Sequence, residues 1–130
     1  MTNYIISDLV SRINLGAARR LRFIKINLNN VSLDILKILY KQGAIRSFII
    51  KNNEILIYYK YFNSRIAIKI SLISTPGNKI YWSLNKLSNK FNYHNFSGFY
   101  IISTQKGLFS SDYCLLQGRI SGEVLIKVEV

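Results

Sequence analysis

The sequence is poor in the residues that staple or catalyse in small proteins. Its 130 residues include one cysteine, Cys114, one histidine, His94, and one proline. A single cysteine excludes an internal disulfide and favours a reducing compartment. Metal binding needs three or four clustered His, Cys or carboxylate ligands, and the six acidic residues are scattered along the chain. We therefore expect no metal, no cofactor and no enzymatic activity.

Long apolar runs are also missing. The longest, Ile55 to Tyr59, has the length of one strand, whereas a membrane-spanning helix needs about 20 apolar residues. Near the start, Asp8 interrupts the apolar segment that a signal peptide requires, and the Arg- and Ser-rich composition of a transit peptide is absent. We expect neither a membrane segment nor a targeting segment.

Acidic residues are scarce relative to basic ones. Lys and Arg total 18 against six Asp and Glu, a formal net charge of +12. Residues 1–74 hold 12 basic and three acidic residues, a net charge of +9. Such a field attracts polyanions, so RNA, DNA and anionic membrane surfaces are the candidate partners. A soluble protein from a lysine-rich proteome would show the same balance without such a partner.

Residue types with GC-rich codons are scarce. Gly, Ala, Arg and Pro total 19 residues, whereas Phe, Tyr, Met, Ile, Asn and Lys total 62. This bias indicates an AT-rich genome, as in an organelle or an endosymbiont. Combined with the missing targeting segment, it predicts a protein encoded and used inside an organelle, the mitochondrion. A plastid or an AT-rich bacterium is the alternative.

Apolar spacing in the first half predicts two helices. One covers residues 4–16 and ends at Gly16; the other is capped by Asn30 or Ser32 and ends at Gly43. Strands are predicted at 23–28, 45–51, 54–61 and 66–73, with a two-residue Asn-Asn turn at 52–53. The first half therefore has the order α-β-α-β-β-β, a sheet with helices on one face.

The segment Ser74 to Asn78 is the strongest chain breaker and contains the only proline. It predicts an N-terminal α/β lobe over 1–74 and a mostly β C-terminal lobe over 75–130, in a protein of the α+β class. The second lobe is predicted to contain strands at 79–82, 98–103 and 122–130, a helical turn near 84–90, and a short helix capped at 110–112.

Ser103-Thr104-Gln105-Lys106-Gly107 combines two hydroxyls, an amide, an ammonium and a glycine after an apolar strand. RNA helices present 2′-hydroxyls, base edges and phosphates in a wide minor groove, where such groups can bind. Glycine allows close backbone approach. An ordinary strand-to-helix turn contains the same residue types.

A basic run and the single cysteine each have a structural and a functional interpretation. Arg19, Arg20 and Arg22 form a basic run suited to phosphates, although a solvated loop would also explain it. Cys114 with His94 could form a nucleophile pair, but nothing in the pattern lowers the thiol pKa, and a buried structural cysteine fits better.

The end of the sequence resembles the bacterial-type small-subunit ribosomal protein eight family. That family ends in a strand, a Ser-Thr-Ser-Lys-Gly loop, a short helix beginning near Asp, a Gly-Gly-Glu turn and an apolar strand. Here the loop is 103–107, the helix begins near Asp112 and the turn is 121–123. Upstream, 7–13, 60–62 and 75–81 are similar to the family's opening helix, central strand end and Arg-Pro-Gly segment. The matches are colinear from residue 4 to residue 130.

The sequence departs from the family pattern at several of its motifs. Gln105 replaces the second serine of the loop, and Thr75 replaces the Arg before Pro-Gly. Asn14-Leu15-Gly16 stands for Arg-Asn-Gly, and Ser121 replaces the first glycine of Gly-Gly-Glu. These changes suit a diverged organellar member of the family.

The resemblance implies a two-lobed protein that binds the central domain of small-subunit rRNA directly and early in assembly. It also implies neighbouring small-subunit proteins as partners and no small-molecule substrate. The RNA-binding residues expected from the resemblance and from the basic run are Ser103, Thr104, Gln105, Lys106, Gly107, Arg12, Arg19, Arg20, Arg22, Lys79, Tyr81, Arg119, Ser121, Gly122 and Glu123.

A translational repressor that binds an mRNA mimicking the rRNA site is the open alternative. A peripheral membrane protein fits less well, because the first helix needs its apolar face for the core. An RNA nuclease lacks the His and acid cluster that it would need.

Overall fold

The computed structural model describes residues 2–62, 65–66, 68–75, 77–82, 98–111, 113–114 and 122–129. The helices and strands in these ranges are α1 (Thr2–Ala18), β1 (Phe23–Asn27), α2 (Asn30–Lys41), β2 (Ser47–Lys51), β3 (Glu54–Tyr58), β4 (Tyr61–Phe62), β5 (Arg65–Ile66), β6 (Lys69–Leu72), β7 (Tyr81–Trp82), β8 (Gly98–Thr104), β9 (Gly107–Ser110) and β10 (Gly122–Glu129). The predicted helical turn at 84–90 and the Asp112 cap lie outside the described residues.

The end of α1 was predicted wrongly. Gly16 lies inside the helix, which ends at Ala18. Arg20 adopts a left-handed φ of 57°. The Arg20 N–H donates to the Ala17 carbonyl oxygen, and the Leu21 N–H donates to the Gly16 carbonyl oxygen, each at 3.1 Å. This is the hydrogen-bond pattern of a Schellman cap with an arginine in the position that usually holds glycine. The basic run therefore begins inside the helix cap.

The cap of α2 also differs from the prediction. Asn29, rather than Asn30 or Ser32, is the N-cap, and its side-chain oxygen accepts the Ser32 N–H at 2.7 Å. The predicted end at Gly43 is confirmed, because Gly43 has a φ of +80° and follows the last helical turn.

The first sheet has the order β1-β3-β2 and is antiparallel. The predicted Asn-Asn turn is confirmed: Asn52 and Asn53 have φ values of 52° and 62°, as a type I′ hairpin requires. One face of this sheet carries the buried residues Ile26, Ile55 and Ile57, which belong to the same core cluster as α1 and α2. The predicted sheet with helices on one face is thereby confirmed for these three strands.

The strand predicted at 66–73 contributes to the other sheet. β6 pairs with β10 in the order β6-β10-β8-β9, with β7 also paired to β10. Asn14 on α1 binds the edge of β6, donating to Ile70 O at 2.8 Å and accepting Ile70 N–H at 3.3 Å. The α+β class with an α/β part and a mostly β part is confirmed, while the domain boundary at residue 74 stays a prediction.

A buried tyrosine connects β3 to α1. Tyr59 is 2% exposed, and its hydroxyl donates to Ile13 O at 2.7 Å. Burial, and secondarily the neighbouring Tyr61, raises the pKa of Tyr59 from 10.0 to about 12. Because the folded-state pKa is raised, the stabilisation is complete below pH 10 and is lost as pH rises through about 12.

We expect Tyr59→Phe to make the free energy of unfolding less dependent on pH in the alkaline range. At neutral pH the variant should lose about 1 kcal/mol of unfolding free energy with the hydrogen bond. Between pH 10 and 12 it should lose less further stability than the unaltered protein, since the titrating phenol is gone. Urea unfolding at a series of pH values measures both losses. If the unfolding free energies of the two proteins fell in parallel above pH 10, Tyr59 would not be the titrating group.

Candidate nucleic-acid interface

The segment 103–107 forms a tight β-hairpin instead of the predicted strand-to-helix loop. Ser103 and Thr104 belong to β8, and Thr104 pairs with Gly107 at the start of β9. Gln105 and Lys106 are therefore a two-residue turn, exposed together with Gly107. Gly107 has a φ of +125°, a backbone conformation that glycine adopts at no steric cost. The strand β9 itself was not predicted.

The Thr104 hydroxyl holds this turn together. It donates to Gly107 O at 2.8 Å and accepts the Lys106 N–H at 3.2 Å. Thr104 therefore has a positioning role that its residue type alone did not indicate. Lys106 is left at the exposed tip, where an ammonium can meet a phosphate.

Three predicted site residues from separate segments lie in one row across the second sheet. Glu123 on β10 pairs with Ser103 on β8 and with Tyr81 on β7. Residues directly opposite each other point to the same face of a sheet. A hydroxyl, a carboxylate and a phenol therefore share one face beside the hairpin, and Tyr81 is 65% exposed.

Glu123 has an unused acceptor in this row. Its Oε1 is buried and has no hydrogen-bond partner among the described residues. A buried acceptor without a donor costs free energy. An arriving donor, such as a hydroxyl, an amino group or a water molecule, would remove that cost.

Gly122 is explained by close approach of two strands. A Cβ built on Gly122 would overlap the Ser103 carbonyl oxygen and lie 3.0 Å from its carbonyl carbon. A glycine at this position lets β10 approach β8 where the hairpin begins. The residue thus positions Ser103 without needing to contact a ligand.

The segment that carries Lys79 and Tyr81 is fixed by a buried serine. The Ser74 hydroxyl accepts the Ile80 N–H at 3.0 Å and donates to Val124 O at 2.5 Å. Within the predicted chain breaker, residues 75 and 78 form an isolated antiparallel bridge. Lys79 is exposed beside this bridge, so its charge is available at the same end of the sheet.

A second basic surface lies on the N-terminal part. Arg20 and Arg22 line a cleft of about 580 Å³, together with an arginine that the sequence did not single out, Arg46, and with Tyr58, Tyr59 and Tyr61. Arg46 donates its backbone N–H to Tyr58 O at 3.1 Å. Pairing of β2 with β3 creates this neighbourhood, and no local sequence signal marks it.

Two other predicted residues, Arg12 and Arg19, line a different groove. Arg12 is on α1, ion-paired with Asp8 at 3.0 Å, and lines a groove with Arg19 and Lys25. Arg119 and Ser121 lie outside the described residues.

The single cysteine has the surroundings of a buried core residue. Cys114 is fully buried, as predicted, and burial raises the pKa of its thiol. Among the described residues, no three His, Cys, Asp or Glu side chains gather where they could hold a metal ion. Neither helix in this part of the chain has the length and apolarity to cross a membrane. His94 lies outside it.

These features define a class: a small, strongly basic α+β protein whose exposed groups are of the kinds that bind nucleic-acid backbones. The sequence profile described as "Ribosomal protein S8" matches residues 4–128, and the chain belongs to this family. The family resemblance predicted from the motifs is thereby confirmed.

The relatives are bacterial and mitochondrial. The chain is 39% identical over 127 residues to "Small ribosomal subunit protein uS8m" of Acanthamoeba castellanii, covering 95% of this chain and 98% of the relative. It is 36% identical over 131 residues to "Small ribosomal subunit protein uS8" of Orientia tsutsugamushi (strain Boryong) and 32% identical over 130 residues to that of Anaplasma phagocytophilum, each covering 95% of both chains.

Proposed function

We propose that this protein is a structural component of the small ribosomal subunit that binds rRNA directly through the hairpin surface. We define the hairpin surface as residues 103–107 with Lys79, Tyr81 and Glu123. The row of Ser103, Glu123 and Tyr81 carries the proposal, because it brings three polar groups from distant segments together. The names of the relatives, which are small ribosomal subunit proteins, support it.

The groups of the hairpin surface match the minor groove of an RNA helix. That groove is wide and shallow and displays 2′-hydroxyls and base edges. Ser103 can donate to and accept from these groups, while the unpartnered Glu123 oxygen can accept from a 2′-hydroxyl or a base amino group. Lys79 and Lys106, both exposed, can reach the flanking phosphates. Hydroxyl and carboxylate contacts supply specificity, and the lysines supply general affinity.

We further propose the setting in which this surface acts. The family resemblance supports binding to the central domain of small-subunit rRNA early in assembly. The mitochondrial relative, at 39% identity, and the scarcity of residues with GC-rich codons support a mitochondrial ribosome and an organellar gene. Neighbouring small-subunit proteins complete the set of partners.

Sedimentation of native lysates tests the proposed function. The protein should cosediment with small ribosomal subunits and should shift to lighter fractions after ribonuclease treatment. Subunits depleted of the protein should accumulate as assembly intermediates. Recovery of the protein chiefly in free mRNA particles would favour the repressor alternative and contradict the proposal.

Substitutions in the hairpin should separate specific from general binding. Ser103→Ala should weaken binding to the cognate rRNA site by about 1–3 kcal/mol, since its RNA partner loses a hydrogen bond, and leave the salt dependence nearly unchanged. Lys106→Ala should weaken binding to many RNAs and reduce the slope of log affinity against log salt by about one. Filter-binding titrations with cognate and mutated sites measure both.

The controls are Ser71→Ala, a half-buried strand serine of the same sheet, and Lys37→Ala, an exposed lysine on α2. Neither should change affinity or discrimination. Thr104→Ala is expected to loosen the turn itself, so it is a poor probe of contact. Full discrimination by a folded Ser103→Ala variant would mean that this hydroxyl does not read the RNA.

A further inference from the structure

The face of the first sheet that is opposite to the helices is open to solvent. We call it the outer face, defined by alternate residues of the three strands: Phe23, Tyr58 and Ser47 in one row, Lys25, Leu56 and Ile49 in the next, and Asn27, Glu54 and Lys51 in the third. Of the intervening residues of β1 and β3, Ile26, Ile55 and Ile57 are buried in the core and Ile24 is half-buried against it. On the outer face, Phe23 is 40% and Ile49 49% exposed. Exposed apolar clusters of this kind mark interaction sites.

Two aromatic rings form the centre of one row of this face. The ring centroids of Phe23 and Tyr58 are 5.6 Å apart with an interplanar angle of 40°. Both rings are held by neighbouring antiparallel strands, so their positions are fixed before any ligand binds. Fixed rings with an accessible side are suited to stacking with flat ligands at low entropic cost; Phe23 is exposed and Tyr58 is half-buried.

A cleft beside Tyr58 carries positive charge. Arg20, Arg22 and Arg46 line the cleft that Tyr58 shares with Tyr61. Lys25 and Lys51 are exposed on the rows below, where Glu54 is the one acidic residue. Charge complementarity therefore selects an anionic ligand, and the length of the basic surface selects a polyanion over a small ion.

The combination of rings and guanidinium groups favours unpaired RNA. A paired helix hides the faces of its bases in its own stack, so it could use the cations but not the rings. An unpaired strand exposes the face of each base, with one phosphate per nucleotide. Aromatic side chains that have basic residues beside them bind such strands by stacking and by charge. An acidic, apolar protein segment would use the charge but has less use for two fixed rings beside three arginines.

We propose that the outer face of the first sheet binds an unpaired RNA segment, with bases stacked on Phe23 and Tyr58 and phosphates held by Arg20, Arg22 and Arg46. This site is separate from the hairpin surface and shares with the proposed function only that its partner is RNA. One chain would then bind a helix through its second sheet and an unpaired strand through its first.

The test uses the full-length protein and a single-stranded oligoribonucleotide of uridine and cytidine, about 8 nucleotides long, which is within the usual site size. Fluorescence anisotropy should detect binding. The Phe23→Leu/Tyr58→Leu variant keeps apolar cover on the sheet but removes both rings. It should bind the oligonucleotide at least about 30-fold more weakly, the lower limit for losing two stacked bases.

Two controls separate this site from the hairpin surface. Tyr40→Leu removes a ring on α2 that is more exposed than the two tested, 56% against 40% for Phe23, and should leave binding unchanged. A helical rRNA fragment should bind the double variant normally and should not displace the oligonucleotide from the unaltered protein. Equal oligonucleotide affinity in both proteins, or displacement by the helix, would overturn the proposal whether or not the hairpin binds rRNA.

A second measurement does not depend on the variant folding. Thiouridine in the same oligonucleotide can be photocrosslinked to the unaltered protein and the linked peptides sequenced. Crosslinks within 20–27 and 46–61 support the proposal. Crosslinks confined to 98–129, or protection of the outer face by a neighbouring protein instead of RNA in footprinting of intact subunits, would overturn it.

Discussion

Gly122→Ala is expected to reduce stability and rRNA binding together. The new methyl group would overlap the backbone oxygen of Ser103 and lie 3.0 Å from its carbonyl carbon. Backbone cannot rotate away as a side-chain end can, so β8 and β10 must move apart. Overpacking of this kind costs about 1–3 kcal/mol and occasionally more. The shift also displaces Ser103 from Glu123, so affinity for the cognate RNA should fall by more than the unfolded fraction explains.

Gly77→Ala is the matched control. A Cβ at Gly77 meets nothing within 4 Å, and its φ is outside the left-handed region. The expected change in unfolding free energy is within about 0.5 kcal/mol, with unchanged RNA affinity. Urea unfolding and RNA titration of both variants make the comparison. Equal stability of the two would show that β8 and β10 do not need this close approach.

Affinity for the rRNA fragment is expected to fall steeply with salt. The net charge of +12 and the exposed lysines of the hairpin surface favour phosphate contacts that release counterions. The slope of log affinity against log salt is about −0.7 to −0.9 per neutralised phosphate, so four contacts imply a slope of about −3. Affinity should then drop about 60-fold between 50 and 200 mM salt.

Titrations over a salt series, with thermal melts at each concentration to confirm folding, test this expectation. Lys106→Ala should have a shallower slope than the unaltered protein, while Lys37→Ala should match it. A flat series would exclude recognition dominated by phosphates and would leave the net charge as a property of composition.

The sequence predicted turns and helix ends correctly where one or two residues determine the backbone conformation. The end of α2 at Gly43 and the turn at Asn52 and Asn53 follow from backbone conformations that these residue types adopt at low cost. The prediction failed at Gly16 because a glycine can adopt a left-handed conformation but does not have to. Gly16 is helical in the structure. Arg20 adopts the left-handed conformation instead, and the hydrogen bonds of the cap determine where the helix ends.

The sequence by itself predicted the α+β pattern and a polyanionic partner, because hydrophobic period and net charge can be read without knowledge of tertiary contacts. Family motifs also predicted every residue of the hairpin surface as a candidate RNA contact. Only the tertiary structure decided how they work: Thr104 holds the turn, Gly122 admits close approach, and Glu123 is left with an unpartnered oxygen. These roles depend on strand register between residues far apart in the chain.

The same physical reason applies to the first sheet. Alternation along one strand shows that a face exists but not which residues of other strands share it. Pairing of β1, β3 and β2 brings Phe23 beside Tyr58, and brings Arg46 beside the basic run. Long-range pairing is set by the sum of many weak contacts across the core, which no single local pattern encodes.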